Sequence, residues 1–167
     1  MSSDIFNFQY IKSKAYREIE RLVKYETLMD KLNAVDSAIN AAISVYHIMD
    51  WQHQESYSHI KTKPHEICKN SNNNSLKILH YMANYSKHAK VSCQLYWGDA
   101  LPKINNNVEC IVLESGEQIC TENGAPMVTE SSYLHVYFGE FRALELLNFS
   151  IEYILSGEIY CPISGIS

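Results

Sequence analysis

The sequence predicts an α+β protein that is mainly helical, with an N-terminal helical bundle, a small antiparallel sheet and a closing C-terminal helix. Apolar residues recur at three- and four-residue steps in the first half of the chain, change to alternation after residue 91, and return to a helical period near residue 141. We therefore place the bundle at residues 1–90. The β-hairpins and the last helix occupy residues 91–167 and are expected to pack with the bundle as one domain.

Two long helices are predicted at the start of the chain, from about residue 8 to 26 and from about residue 27 to 54. The apolar face of the first consists of Ile11, Ala15, Ile19, Leu22 and Val23. The stripe of the second consists of Leu28, Leu32, Val35, Ile39, Ala42, Val45, Tyr46 and Met49. A slim flank beside it consists of Ala38, Ala41, Ala42 and Ser44. This flank permits the close approach of another helix, either within the chain or across a dimer.

A polar segment from residue 56 to 75 predicts a loop, since it contains Lys63-Pro64 and a run of Asn and Ser residues. Ser75 is the expected N-cap of a third helix, which runs from about Leu76 to Lys87 or His88. This helix carries polar residues on an otherwise apolar pattern.

The second half of the chain predicts strands and one helix. Alternating residues indicate a strand from Val91 to Trp97, a hairpin from residue 108 to 121, and a further strand from Tyr133 to Phe138. A helical period follows from residue 141 to 155, and Gly157 is suited to end that helix. The residues after it are predicted to form an irregular tail.

Composition indicates a cytoplasmic protein. No run of 18 apolar residues is present, so no transmembrane span is expected. The first residues, Met1 to Asp4, lack the basic and apolar regions of a secretion signal. The five cysteines are scattered without CxxC spacing, which favours small, buried, reduced thiols over a zinc site.

Charge is distributed unevenly along a chain whose net charge is −5. Residues 61–103 contain seven Lys against Glu66 and Asp99, a balance of +5, whereas residues 104–167 contain Arg142 against nine Glu, a balance of −8. A local basic zone attracts phosphate-bearing ligands such as RNA. A solvated protein surface has the same composition, so the pattern leaves both interpretations open.

Two helical motifs supply candidate site residues. His47 and Asp50 are three residues apart on the second helix, and Asn84 and His88 are four apart on the third, with Lys87 beside them. Residues at these spacings share a helix face, so antiparallel packing of the two helices would bring the motifs together. The Asp would orient an imidazole, the other imidazole would act as general acid or base, and Lys87 would bind a phosphate.

Two other interpretations of these motifs are open. Buried polar groups must pair, so the cluster is also what a structural network that fixes helix register would contain. HxxD with NxxxH would supply nitrogen and oxygen donors for a metal ion. Asn is a poor zinc ligand and no second acid is near in sequence, so we predict no metal and no cofactor.

The same residues resemble known groups of proteins. Leu32 to Trp51 and Ala83 to His88 are similar to elements of uncharacterised bacterial and phage proteins that carry His-x-x-Asp-Trp and Ala-Asn-x-Ser-Lys-His, a resemblance that would cover most of the chain. Asn84 and His88 also resemble the signature of HEPN domains, in which Arg, a polar residue and a later His share one helix. Here Ala83 stands at the Arg position, so Lys87 is the nearby cation. Lys carries its charge on one nitrogen, whereas the planar guanidinium of Arg binds a phosphate through two N–H donors.

The HEPN resemblance implies a dimeric helical bundle that acts as a metal-independent ribonuclease in toxin-like or phage-defence systems. On that basis the expected function is binding or cleavage of RNA by a homo-oligomer away from membranes. The catalytic set would be His88, Asn84, Lys87, His47 and Asp50. The alternative is a non-catalytic binding, regulatory or oligomerisation subunit of a multi-protein defence complex, in which the polar cluster holds the helices in register.

Overall fold

The computed structural model describes residues 7–85, 102–107, 120, 122 and 132–160. Within them the chain forms five α-helices and a three-stranded antiparallel sheet, which confirms the predicted class, mainly helical α+β. The helices are α1 (Phe8–Thr27), α2 (Lys31–Ser56), α3 (Pro64–Asn70), α4 (Asn74–Tyr85) and α5 (Ala143–Leu155). The strands are β1 (Pro102–Asn107), β2 (Tyr133–Phe138) and β3 (Phe141–Arg142), and a 3-10 turn covers Glu158–Tyr160.

Helices α1 and α2 form an antiparallel pair. The side chain of Asn7 caps α1 by accepting a hydrogen bond from a first-turn N–H at 2.9 Å, and Asp30 caps α2 in the same way at 3.2 Å. The backbone N–H of Phe8 donates to the Glu55 carboxylate at 3.2 Å, so the start of α1 lies beside the end of α2. The predicted start of the second helix at residue 27 was wrong, because Met29 adopts φ +59 and ends the helical run.

The slim flank of α2 is used for packing within the chain. Ala38, Ala41 and Ala42 are fully buried and Ser44 is 1% exposed. They lie there because α2 is the central helix and packs against α1, α4, α5 and the sheet.

Three positions of the predicted apolar stripes are wrong. Leu28 and Leu32 are 61% and 72% exposed, and Val23 on α1 is 42% exposed. Leu28 and Leu32 lie in or next to the turn that joins α1 to α2. Periodicity assigns them to a face, but burial depends on which elements cover that face.

Helix α3 lies inside the segment that we predicted as a loop. It begins at Pro64, whose fixed φ suits a first helical turn, and the backbone N–H of Lys63 donates to the Glu66 carboxylate at 3.1 Å. A helix of seven residues is too short to show an apolar stripe, which is why the pattern missed it. Helix α4 is capped by Asn73 rather than Ser75, since the Asn73 side chain accepts from the Ser75 N–H at 2.9 Å.

Strand β2 is the centre of the sheet and runs antiparallel to both neighbours. It covers the predicted residues, and Leu134, Val136 and Phe138 point into the core with 1% exposure or less. Gly139, with φ +63, makes the tight turn into β3. The sheet rests on the helices through β2, which packs against α1, α2 and α5.

The remaining strand predictions had mixed outcomes. Strand β1 was not predicted, because Pro102–Asn107 contains three Asn residues and few strand-forming side chains, and it is held by its pairing with β2. The predicted strand Val91 to Trp97 lies outside the described residues. The predicted hairpin from residue 108 to 121 lies outside them as well, except for Cys120.

The closing helix is confirmed, but it begins two residues later than predicted and is followed by a 3-10 turn. Phe141 and Arg142, which we placed in the helix, pair with β2 as strand β3. Gly157 adopts φ +76 and its N–H donates to the carbonyl of α5 residue Ile154 at 3.1 Å, as expected of a helix end. The predicted irregular tail begins with the 3-10 turn, whose buried Tyr160 donates its hydroxyl proton to the Met49 carbonyl on α2 at 2.8 Å.

A buried carboxylate ties α1 to the sheet. Glu26 is 7% exposed, and its Oε1 accepts a hydrogen bond from the Val136 N–H at 2.8 Å. Its Oε2 lies 3.5 Å from Nη2 of Arg142 and 3.7 Å from Nδ1 of His135. Strand β3 ends at Arg142, so the Val136 N–H has no strand partner on that side, and Glu26 satisfies it instead.

Candidate functional site

Helices α2 and α4, which carry the two predicted motifs, pack against each other. Their described contact joins Tyr46 and His80, whose ring centroids are 5.7 Å apart with planes tilted by 44°. His47 follows Tyr46 on α2 with its ring centroid 6.1 Å from the Tyr46 ring. His80 is therefore the α4 imidazole that faces the α2 motif.

Three of the five predicted site residues lie in the described part of the chain. His47 and Asp50 are half-buried on α2, and Asn84 is half-buried near the end of α4. The Asn84 carboxamide donates to the carbonyl oxygen of His80 on its own helix at 2.7 Å. Lys87 and His88 lie outside the described residues.

The charge of Asp50 acts on three ionisable side chains around it. Burial raises the pKa of the Tyr46 hydroxyl and of the Cys68 thiol on α3, and the charge of Asp50 raises both further. The pKa of Tyr160 is raised by the same two causes, with smaller contributions from Cys68 and Tyr57. These hydroxyl and thiol groups stay protonated at neutral pH, so they serve as donors and not as nucleophiles.

His80 is held in its neutral form. Burial lowers the pKa of His80 below the ordinary value of 6.5, and the positive charges of His65 and Lys69 on α3 lower it further. A neutral imidazole next to a lysine pairs a proton acceptor with a cation. Both are requirements for chemistry on a phosphate ester.

We expect acidification to destabilise the protein through His80. The unfolded chain binds a proton at His80 as the pH falls through 6.5, whereas the folded chain resists protonation until its lower pKa is reached. The stability contributed by His80 is therefore complete above pH 6.5 and is lost below it. In urea unfolding at about pH 7.5 and about pH 5.5, the His80→Gln variant should lose less stability on acidification than the wild type.

A matched control for this measurement is His59→Gln, since His59 is exposed in the connection between α2 and α3. Its pH profile should run parallel to that of the wild type. Parallel profiles for His80→Gln and the wild type would contradict the assignment of His80 as a neutral buried imidazole.

Sequence reasoning left His80 out of the proposed site, and it also omitted Tyr46, Cys68 and Tyr160. Tyr46 lies four residues before Asp50 on α2 and shares its face, whereas Cys68 comes within range of Asp50 through the packing of α3. Tyr160 comes from a segment that we predicted to be irregular. An aromatic residue directly before His47 was the one visible signal, since an aromatic ring next to a polar motif favours a packed site.

The described residues contain neither a candidate metal centre nor a candidate membrane span. Among them no group of three or more His, Cys, Asp or Glu side chains is placed to hold a metal ion. In the same residues, no helix has the length and apolar character needed to cross a bilayer. Cys68 is a buried free thiol, whereas Cys120 is exposed, so the prediction that the cysteines are buried was wrong for Cys120.

Comparison with protein-family models, with curated proteins and with solved structures finds no match to this chain. The resemblances noted in the sequence therefore remain predictions, and the function is argued from the residues themselves.

Proposed function

We propose that this chain is a HEPN-like cytoplasmic protein that binds RNA and cleaves it without a metal ion, in a phage-defence or toxin-like setting. His88 is the general acid or base, Asn84 positions the substrate, and Lys87 contacts the phosphate. His47 and Asp50 support them from α2. The HEPN resemblance implies that the protein acts as a homodimer, and the proposal includes this oligomeric state.

One observation supports this proposal: where α4 packs against α2, the neutral His80 imidazole of α4 also lies near a lysine of α3. His80 packs on Tyr46, one residue before His47, and Lys69 is near enough to lower the pKa of His80. The charge pattern supports it, since Lys61, Lys63 and Lys69 of the basic zone are all exposed. Exposed lysines attract a phosphate backbone, and Lys69 lies on α3, which packs against the helix that carries Asn84.

Cleavage of RNA tests the proposal directly. The purified protein should cleave total RNA or a tRNA pool equally well with and without EDTA. The His88→Ala variant should lose at least about 100-fold in rate, the lower range for removal of a general acid or base. The readout is gel electrophoresis of end-labelled RNA over time.

The matched control is His59→Ala, which removes an exposed histidine from the connection between α2 and α3. It should cleave at the wild-type rate. Undiminished cleavage by His88→Ala, or cleavage abolished by EDTA, would contradict a metal-independent site centred on His88.

A second candidate function is a non-catalytic binding or regulatory subunit of a defence complex. The observation that favours it is the Asn84 carboxamide, which is already bonded to the His80 carbonyl of its own helix. A carboxamide that is satisfied by its own helix needs no substrate as a partner. Absence of cleavage by the wild type, together with a lower melting temperature of His88→Ala, would favour this function over the first.

A further inference from the structure

A cleft of about 540 Å³ lies between α3, α4 and the end of α5, on residues that neither candidate function uses. Its volume is in the range of small-molecule sites. One wall is polar and is formed by the Asn and Ser residues that connect α3 to α4. The other wall is formed by aromatic and aliphatic side chains of α5 and the 3-10 turn.

The aromatic wall presents a flat surface to the cleft. Phe149 and Tyr153 stack one turn apart on α5, with ring planes within 5° of parallel and centroids 6.1 Å apart. Phe149 is 52% exposed, although it is a large apolar side chain at the edge of the core. An exposed ring that is already held parallel to a neighbour is preorganised to stack on a planar ligand.

The polar wall presents hydrogen-bonding groups without partners of their own. Asn70 and Asn72 line the cleft, and the described contacts include no hydrogen bond from either carboxamide. By contrast, the Asn73 and Ser71 side chains are engaged, accepting from the N–H groups of Ser75 and Asn73. A carboxamide both donates and accepts, so two of them match the edge of a heterocycle.

The charge of the cleft restricts the ligand further. Glu158 lines it and is exposed, and no described residue forms an ion pair with its carboxylate. No Lys, Arg or His is among the described residues that line the cleft. A carboxylate accepts hydrogen bonds from N–H groups and repels phosphate, so the site favours a neutral base that carries an amino group.

We propose that this cleft binds an amino-bearing nucleobase, with the base stacked on Phe149, its amino edge at Glu158 and its remaining edge at Asn70 and Asn72. Guanine fits these groups best, because it offers two adjacent N–H donors to a carboxylate and a carbonyl oxygen to a carboxamide. Uracil has no amino group and fits them less well. None of the described lining residues belongs to the proposed catalytic set, and the assignment does not depend on ribonuclease activity.

Titration of the full chain with nucleosides tests the assignment, followed by heteronuclear NMR or calorimetry. Guanosine should bind saturably and more tightly than uridine. Guanosine monophosphate should bind no more tightly than guanosine, because no Lys, Arg or His among the described lining residues is present to pair with its phosphate. Equal binding of guanosine and uridine, tighter binding of the monophosphate, or no saturable binding of any nucleoside would overturn the assignment.

Variants locate the binding within the cleft. Phe149→Ala should weaken guanosine binding by about 5- to 150-fold, the range for loss of one base–aromatic stack. Glu158→Gln should weaken it by about tenfold, since it removes a charged acceptor. Phe149→Leu keeps an apolar side chain and should still lose the stack, which separates stacking from folding. Tyr16→Ala is the matched control, because Tyr16 is an aromatic residue on α1 that is 41% exposed and does not line the cleft.

The guanosine affinities of the variants can also overturn the assignment. Guanosine affinity that is unchanged in both Phe149 variants would overturn the site, and so would an equal loss in Tyr16→Ala. Circular dichroism on each variant confirms that the compared proteins are folded.

Discussion

The Glu26→Ala variant is expected to lose about 1–3 kcal/mol of unfolding free energy, the range for leaving a buried hydrogen-bonding group without its partner. Glu26 is buried on α1 and accepts the Val136 N–H at 2.8 Å, with Arg142 at 3.5 Å. Its removal leaves the buried Val136 N–H without an acceptor. Arg142 loses the nearby Glu26 charge and keeps, among the described residues, only Glu145, an exposed carboxylate 3.6 Å from Nη1. Nε of Arg142 is already buried without a hydrogen-bond partner, and Nη2 lies 3.2 Å from Nδ1 of His135.

Urea unfolding measures this loss, and two further variants make it specific. Glu26→Gln should cost less than Glu26→Ala, because its carbonyl oxygen still accepts from Val136 while the charge facing Arg142 is gone. Glu20→Ala is the matched control, since Glu20 is exposed on the same helix and its replacement should change stability by less than about 0.5 kcal/mol. If Glu26→Ala is as stable as Glu20→Ala, the carboxylate does not hold the sheet on α1.

The Glu26 contacts could not be predicted from a sequence pattern, because they join residues that are far apart in the chain. Glu26 and Val136 are 110 positions apart, and nothing local to either residue indicates the pairing. Its acidic neighbours on α1, Glu18 and Glu20, have the same helical context, yet only the position that reaches the sheet edge acquires this role. Strand β1 is a similar case, because its Asn-rich sequence forms a strand only through its partner β2.

Elements with their own periodicity were predictable from the sequence. Helices α1, α2 and α5 and strand β2 bury residues at the spacing of one face, and that spacing is visible without a structure. Helix α3 has seven residues and too few turns for a stripe, so its start at Pro64 was the one local signal.

Part of the candidate site was predictable from the sequence. His47, Asp50 and Asn84 were found because polar residues on apolar helices stand out from their neighbours. Which of them meet depends on how α4 lies along α2, and that is set by packing. The structure places His80 against Tyr46, a pairing that the spacing alone did not specify.

The Gly157→Ala variant is expected to lose about 2–5 kcal/mol, from two separate causes. Gly157 adopts φ +76, and an L-residue in the left-handed region costs about 1–2 kcal/mol. An added Cβ would also overlap the Tyr57 hydroxyl, and overpacking of this kind costs about 1–3 kcal/mol. Tyr57 does not move away freely, because its ring stacks on Tyr160 at 4.1 Å and Tyr160 is bonded to the Met49 carbonyl.

A double-mutant cycle separates the two causes. Tyr57→Phe alone should be close to the wild type, since no described hydrogen bond involves the Tyr57 hydroxyl. Combined with Gly157→Ala it should recover the overpacking part of the loss and leave the backbone part, about 1–2 kcal/mol. Strictly additive effects of the two changes in urea unfolding would mean that the Tyr57 ring yields to the new methyl group. In that case the contact between the end of α5 and the connection after α2 is looser than the stacked tyrosines indicate.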